Sequence, residues 1–184
     1  VFLNEDGNYE MVAGHRRKRA CELAGIETIP VIVKNINRDE ATILMGESNL
    51  QSREEILPSE KAFTYKKMLD AMNRQGKRTD LTSSPLGTKL AGTRSNVLLS
   101  EEVGESKSQI HRYIRLTYLI PELLNLVDQG KMSIRPAVEV SYIDSEGQKS
   151  IYDYYQDTLD IDDAGKEISP GVLPSLAQAK EMRS

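Results

Sequence analysis

The stretch Leu99 to Arg115, LSEEVGESKSQIHRYIR, limits what this chain can fold into more than any other. Leu99 and Val103 stand four apart, Gly104 breaks the pattern, and Ile110 and Ile114 again stand four apart, with Leu116 just beyond. Apolar residues at that spacing line one face of a helix, so the stretch reads as two short helices joined by a glycine turn. A helix-turn-helix has this plan: the first helix packs behind, and the second offers polar N-terminal residues to the DNA major groove. Its outward residues are Ser106, Lys107, Ser108, Gln109, His111 and Arg112, types that bond phosphates or base edges. An ordinary helical hairpin with solvated polar faces carries the same pattern, and this stretch alone does not separate the two.

Charge distribution separates them better than net charge does. The chain of 184 residues has a formal net charge of −4, which by itself argues against nucleic acid. From Arg74 to Arg115, however, eight basic residues face four acidic ones, whereas from Asp144 onward four basic residues face nine acidic. A basic centre between less basic flanks can still meet phosphates, because charges beyond a Debye length of about 10 Å are largely screened. Composition excludes other classes. With 28% charged and 39% hydrophobic residues the chain is no disordered polyelectrolyte. No apolar run approaches the roughly 20 residues that span a bilayer, and no membrane partner is expected. One cysteine, Cys21, and two histidines, His15 and His111, leave no intramolecular disulfide and no structural metal to expect. A cytoplasmic location follows as an expectation. A chain that starts at Val1 and ends on a helical pattern reads as a piece of something longer.

Along the chain, Glu5-Asp6-Gly7-Asn8 is a turn signal, so Tyr9 to Ala13 reads as a strand leaving a hairpin. Gly14 opens a helix that Gly25 stops near Leu23, and the β-branched run Thr28 to Asn35 reads as a second strand. Asn37 with Glu40 forms a capping box for a helix from Asp39 to about Met45. Asn49 to Leu57 reads as loop or frayed helix. Pro58 suits the first turn of a helix through about Arg74, with Ala62, Tyr65, Leu69 and Met72 near one face. Helices at Pro121 to Val127, Ile134 to Tyr142 and Ile151 to Leu159 follow the helix-turn-helix stretch. The expected fold is α+β and mostly helical. Residues 1–74 form a small α/β part with its closing helices, 75–92 a connector, 93–159 a helical DNA-binding domain, and 160–184 a linker and the start of one more helix.

Gly14-His15-Arg16-Arg17-Lys18-Arg19 is the densest charge motif, and it stands where strand gives way to helix. A helix N-terminus offers unpaired N–H groups and a partial positive charge. Glycine lets an anion approach the backbone, and arginines clamp phosphate oxygens in pairs. A phosphate site on a nucleotide or on DNA, or a plain solvated basic face, both fit the spacing.

The segment YEMVAGHRRKRACELAGIETIPVIVK resembles the Gly-Glu-Arg-Arg segment of the ParB partition-protein family, which also follows a strand and opens a helix. Asn49-Leu50-Gln51, Arg53-Glu54 and Leu57-Pro58-Ser59-Glu60-Lys61-Ala62 resemble the family's Asn-Leu-Gln-Arg-Glu segment and the proline-started helix after it. The helix-turn-helix is followed by Gly130-Lys131-Met132-Ser133, similar to the family's Gly-Lys-Leu-Ser turn. The resemblance implies a ParB/sulfiredoxin-like N-terminal fold that binds CTP with magnesium, followed by a helix-turn-helix that reads a centromere-like site in double-stranded DNA. It further implies a homodimer that closes as a CTP-dependent clamp, a ParA-type ATPase partner, and a plasmid or mobile-element setting. Gly14, His15, Arg16, Arg17 and Asn49 would hold the nucleotide, and Glu47 and Asn49 would lie near Mg²⁺.

Several residues depart from that pattern. His15 stands where the family has glutamate, and Glu47-Ser48-Asn49 inserts a serine into an otherwise adjacent Glu-Asn pair, so nucleotide binding is implied more firmly than CTP hydrolysis. Ile134-Arg135-Pro136-Ala137 replaces the family's frequent Gly-His-Ala-Arg. Two other readings stay open. One is a transcriptional or nucleoid-occlusion regulator built from the same modules. The other, of a different class, is a nucleotide-dependent small-molecule kinase, whose phosphate cradle would look alike. A sulfiredoxin-type redox enzyme would need a cysteine just before the His-Arg pair, where Ala13-Gly14 stand, and Cys21 reads as a buried, inert thiol.

Overall fold

The computed structural model describes residues 1–51, 55–79, 87–161 and 167–183. They cluster into two compact units, Val1–Glu55 with Thr64–Glu105, and Ile56–Phe63 with Ser106–Ser184.

The first unit begins with a two-stranded antiparallel hairpin, β1 (Phe2–Leu3) and β2 (Tyr9–Glu10), in which Phe2 stands opposite Glu10. Its turn is made by Asn4, whose side-chain oxygen accepts from the N–H groups of Asp6 and Asn8, and by Gly7 at φ 77°. The strand expected over Tyr9 to Ala13 thus ends at Glu10. Helix α1 (His15–Leu23) follows Gly14 as expected. The second expected strand, Thr28 to Asn35, does not form; it makes one isolated parallel bridge, between Phe2 and Lys34, and accepts one more bond from Val1 N at Ile32 O. A strand needs a partner along its length, Pro30 lacks a donor, and Val31, Ile32 and Val33 are all more than half exposed.

Helix α2 (Arg38–Gln51) starts on the capping box: Asn37 N–H donates to Glu40 Oε2 at 2.8 Å, and Glu40 N–H to Asn37 Oδ1 at 2.9 Å. It runs well past Met45, so Glu47, Ser48 and Asn49 are helical. Gly46 permits this: a Cβ there would lie 2.5 Å from Met68 Sδ, so α2 closely approaches α3 (Pro58–Thr79) at that point. Arg74 of α3 donates to Asp39 of α2 at 2.8 Å and fastens the other end of the contact. On α3, Ala62, Tyr65, Met68 and Ala71 are buried; Met68 and Ala71 take the places expected for Leu69 and Met72. Helix α4 (Gly87–Val103) packs on α2. The expected connector is shorter as a result, because residues 75–79 belong to α3 and 87–92 to α4. Residues 80–86 lie outside the described residues.

The second unit holds α5 (Lys107–Leu116), α6 (Pro121–Asp128), α7 (Ile134–Val140), α8 (Ser145–Thr158) and α9 (Leu176–Arg183). Its core gathers Leu116, Leu123, Leu126, Val127, Val140 and Tyr155, with Ala62 from the first turns of α3. That turn is tied in by Asp128, whose carboxylate accepts from Ser59 N–H at 2.8 Å. Gly130, at φ 73°, ends α6, and Lys131 N–H returns to Leu126 O. Residues 160–174, expected as linker, carry a small hairpin of β3 (Asp160–Ile161) and β4 (Glu167–Ser169). Gly171 then presses on Tyr155, and Leu173 packs on the core. The two units also divide the chain differently from the expected domains, since residues 93–105 fall in the first unit and 56–63 in the second. Burial explains this. Ser95 and Leu99 are buried in the first unit and Ala62 in the core of the second.

Candidate functional site

In the first unit, Gly14 adopts φ 96°, a conformation that L side chains rarely take, and turns the chain from the hairpin into α1. Gly14 supplies no side-chain cap to α1, and the first turn carries no acidic residue. The first intrahelical bond is Lys18 N–H to Gly14 O, so the N–H groups of His15, Arg16 and Arg17 make no bond within the helix. Nothing lies within 4 Å of where a Gly14 Cβ would sit. An anion can therefore reach these N–H groups directly.

A cleft of about 330 Å³ opens beside them. Apolar side chains including Met11, Val12, Ile29 and Leu44 line most of it, and Gly14, Arg17, Lys34 and Ser48 supply its polar part. Of the residues expected to hold a nucleotide, Gly14 and Arg17 thus meet at one cleft. His15 and Arg16 are exposed on α1, and Asn49 is exposed on α2; none of the three lines it. Sequence reasoning missed Lys34 and Ser48. Once α2 is known to continue past Met45, Ser48 lies one turn from Leu44 on the same face, and the serine that interrupts the Glu-Asn pair takes the cleft position.

Glu47, half-buried on α2, lies beside Glu102 of α4. Burial raises its carboxyl above the usual glutamate range; the Glu102 carboxyl pushes the same way, and Lys34 pulls it down. Of the two residues expected near Mg²⁺, Glu47 is thus half-buried beside Glu102 and Asn49 is exposed on the same helix. Among the described residues no group of three or more His, Cys, Asp or Glu is placed to hold a metal ion. The cleft's donors suit an anion such as a polyphosphate, and a cation there would rest mainly on that anion's own oxygens. Cys21, expected to be buried, is half-exposed.

In the second unit, Ser106 caps α5 by accepting from Gln109 N–H. Ile110 and Leu116 are buried, while Lys107, Ser108, His111 and Arg112 are exposed at positions that share one helical face. Ser106 is exposed but its hydroxyl is engaged in the cap. Gln109 is half-buried and accepts from Arg112 at 3.3 Å. Before α5, helix α4 ends at Val103 and Gly104 adopts φ 68°, so helix, glycine turn and helix follow in the expected chain order, the first much longer than expected. No helix among the described residues is long and apolar enough to cross a membrane.

The class that these features define is a small α+β module with a cleft suited to an anion, followed in sequence by a helical module with one polar-faced helix. Residues 1–50 match the ParB N-terminal domain, and the chain is ParB-like. The nucleoid occlusion protein of Geobacillus sp. (strain WCH70) is 37% identical over 117 residues, 60% of this chain and 38% of that protein. Stage 0 sporulation protein J of Bacillus subtilis (strain 168) is 32% identical over 126 residues, 68% of this chain and 37% of that protein. The chain spans less than two-fifths of the length of either relative. A crystal structure of the C-terminally truncated chromosome-partitioning protein ParB from Caulobacter crescentus, complexed to the centromeric parS site, is 21% identical. That match has a TM-score of 0.45 and covers 83% of this chain and 72% of that one; a likeness at this level carries no argument.

Proposed function

We propose that the chain is part of a DNA-segregation protein that binds CTP in the cleft beside Gly14 and reads a centromere-like DNA site with α5. The observation that carries the reading is the meeting of Gly14, Arg17, Lys34 and Ser48 at one cleft, where free helix N–H groups and two cations converge on a pocket with apolar walls. Triphosphate oxygens would be held by the N–H groups after Gly14 and by Arg17 and Lys34, with Ser48 adding a hydroxyl. Bound CTP, with Mg²⁺ on its phosphates, would supply the charge that those groups neutralise. Asn49 and Glu47 have no direct place at the cleft, so the reading is one of nucleotide binding.

In the second unit, Lys107 and Arg112 would meet phosphate or guanine, and Ser108 and His111 would stand beside them. Gln109 would join in if its bond to Arg112 were released. Preceded in sequence by α4 and the Gly104 turn, α5 would serve as the recognition helix of a helix-turn-helix. The protein would work as a homodimer with a ParA-type ATPase, the CTP-bound form closing on DNA as a clamp. The identity of 37% to a nucleoid occlusion protein favours a second reading, in which the same two sites mark DNA for regulation of division and not for segregation.

Selection of random DNA fragments by the purified chain, with Mg²⁺ and either CTP, ATP or neither, tests the reading. An enriched site whose occupancy responds to CTP alone is expected; no enriched sequence, or an equal response to ATP, overturns it. By calorimetry, Arg17→Ala should abolish CTP binding, and unchanged affinity would remove the cleft from the proposal. Arg16→Ala provides the matching test of an arginine on α1 outside the cleft.

A further inference from the structure

Arg115 stands in the last turn of α5, and its side chain is fully committed inside the second unit. Its guanidinium carbon lies 3.7 Å from the centre of the Tyr142 ring and 4.5 Å from that of Tyr118. Nε donates to Ser141 Oγ at 3.0 Å, and an Nη to Ser141 O at 2.6 Å. Tyr142 carries a second guanidinium: Arg183, the last residue of α9, sits 3.8 Å from the same ring centre and donates to Glu139 Oε2 at 2.7 Å. Two cations this near one centroid need opposite faces of the ring, so Arg115, Tyr142 and Arg183 form a three-layer stack from α5 to α9.

We propose that this stack is a positioning device for α5, with Tyr142 and Arg183 as positioning residues, and that α9 is the element that completes it. The proposal rests on the reading of α5 as the DNA-contacting helix. A helix of 10 residues does not hold itself in water, where isolated helices need roughly 12 to 15 residues to be even marginal. Its N-terminal end has the Ser106 cap and its middle the buried Ile110. Its last turn has Leu116 in the core and the Arg115 stack, and only the stack is directional. Burial of Leu116 fixes how deep that turn sits. A planar guanidinium held by two hydrogen bonds and a ring also fixes how the helix is rotated about its axis. Rotation decides whether Lys107, Ser108, His111 and Arg112 reach the groove together. Arg115 therefore serves DNA binding without touching DNA, and Arg183 does so from 68 residues further along the chain.

Tyr142 is 48% exposed, so its replacement leaves the core intact. The test compares wild type, Tyr142→Leu, Tyr142→Phe and Arg183→Ala. Two measurements are made: amide exchange of α5 without DNA, and affinity for a duplex carrying the enriched site against a scrambled duplex, across salt. Tyr142→Leu and Arg183→Ala should speed exchange at Tyr113 to Leu116 and cut the specific-to-scrambled ratio by about tenfold, the worth of roughly one good base contact. The salt slope should stay as in wild type, and Tyr142→Phe should restore both measurements. A slope smaller by about 0.9 in Arg183→Ala would make Arg183 a phosphate contact and overturn the positioning role. Unchanged exchange and an unchanged ratio in Tyr142→Leu would also overturn it. If wild type enriches no site, the DNA reading fails, and exchange alone still decides whether the stack holds α5.

Discussion

Gln148 is a buried polar residue that ties two turns of the second unit to α8, and Gln148→Leu measures what that tie contributes. The side chain is 3% exposed on α8, yet it bridges two turns. Its Oε1 accepts from Ile120 N–H at 2.8 Å, and its Nε2 donates to Tyr118 O at 3.2 Å and Ile143 O at 2.9 Å. Those bonds hold the turn that leaves α5 and the turn that leaves α7 against one helix. Leucine has nearly the same volume, so little cavity arises, but three backbone groups lose their partner. At about 1 kcal/mol net per hydrogen bond the loss is about 3 kcal/mol, and the added apolar burial returns about 1 kcal/mol, leaving a destabilisation of about 2 kcal/mol. With a urea m value of about 2 kcal/mol/M, the midpoint should fall by about 1 M. Urea titration read by amide exchange reports the helical unit apart from the N-terminal one. Gln148→Glu supplies a signature that packing alone cannot give: it keeps the acceptor for Ile120 but turns a carboxylate onto two carbonyls. Relative to wild type it should cost more at pH 7 than at pH 4, where a protonated carboxyl can donate. A midpoint unchanged in Gln148→Leu, or a Gln148→Glu penalty equal at both pH values, would refute the bridge.

Gly14→Ala places an L side chain at φ 96° with no steric neighbour, so backbone strain alone should cost about 1–2 kcal/mol, read as a lower melting temperature of the N-terminal unit and weaker CTP binding; a variant as stable as wild type would show that the turn relaxes freely. Gly171→Ala drives a Cβ to 2.5 Å from the Tyr155 backbone oxygen and ring, and should cost about 1–3 kcal/mol by lifting residues 169–175 off α8. Protease cleavage within 169–175 at native pH checks it, and a cutting rate equal to wild type would refute the seat. Glu47 has a raised carboxyl pKa, so the folded state binds its proton more tightly than the unfolded chain does. The stability that Glu47 contributes is therefore fully present below the usual glutamate pKa of about 4.3 and is lost as pH rises through the raised value. Glu102→Gln removes the repulsion and should flatten that fall, measured as the urea midpoint from pH 4 to 8; an unchanged slope would exonerate the pair.

Local signals written within a few residues were legible. The Asn37–Glu40 box, Pro58 at the start of α3, the glycines at 14, 104 and 130, and the stripe of Ile110 with Leu116 each act through the nearest turn of backbone and stand where expected. Signals that depend on a partner misled. Thr28 to Asn35 has β-branched composition, but only Ile32 and Lys34 find backbone partners, at Val1 and Phe2. Gly46 looks like a helix stop, yet it is what lets α2 pass Met68, and the missed extension of α2 hid Ser48 from the cleft. The acidic, glycine- and proline-punctuated 160–174 reads as a linker because sequence does not show that Tyr155 offers Gly171 a seat. The stack was invisible for the same reason: Arg115, Tyr142 and Arg183 share no period, and only the fold brings them to one ring.

Helix α1 shows why the phosphate motif was easier to see in sequence than its environment. It has nine residues and buries none of them, so core packing holds it weakly. Its ion pairs, Lys18 and Arg19 to Glu22, are exposed pairs of a kind worth a few tenths of a kcal/mol at best. Against these stand Arg16, Arg17, Lys18 and Arg19 in succession, whose mutual repulsion at a helix start is reinforced by the helix dipole. A sequence shaped for stability alone would place acids in that first turn, and here there are none. Within the proposed reading, an anion at Gly14 offsets both the repulsion and the unpaired N–H groups. The charges that weaken the helix by itself are then the ones that make it bind.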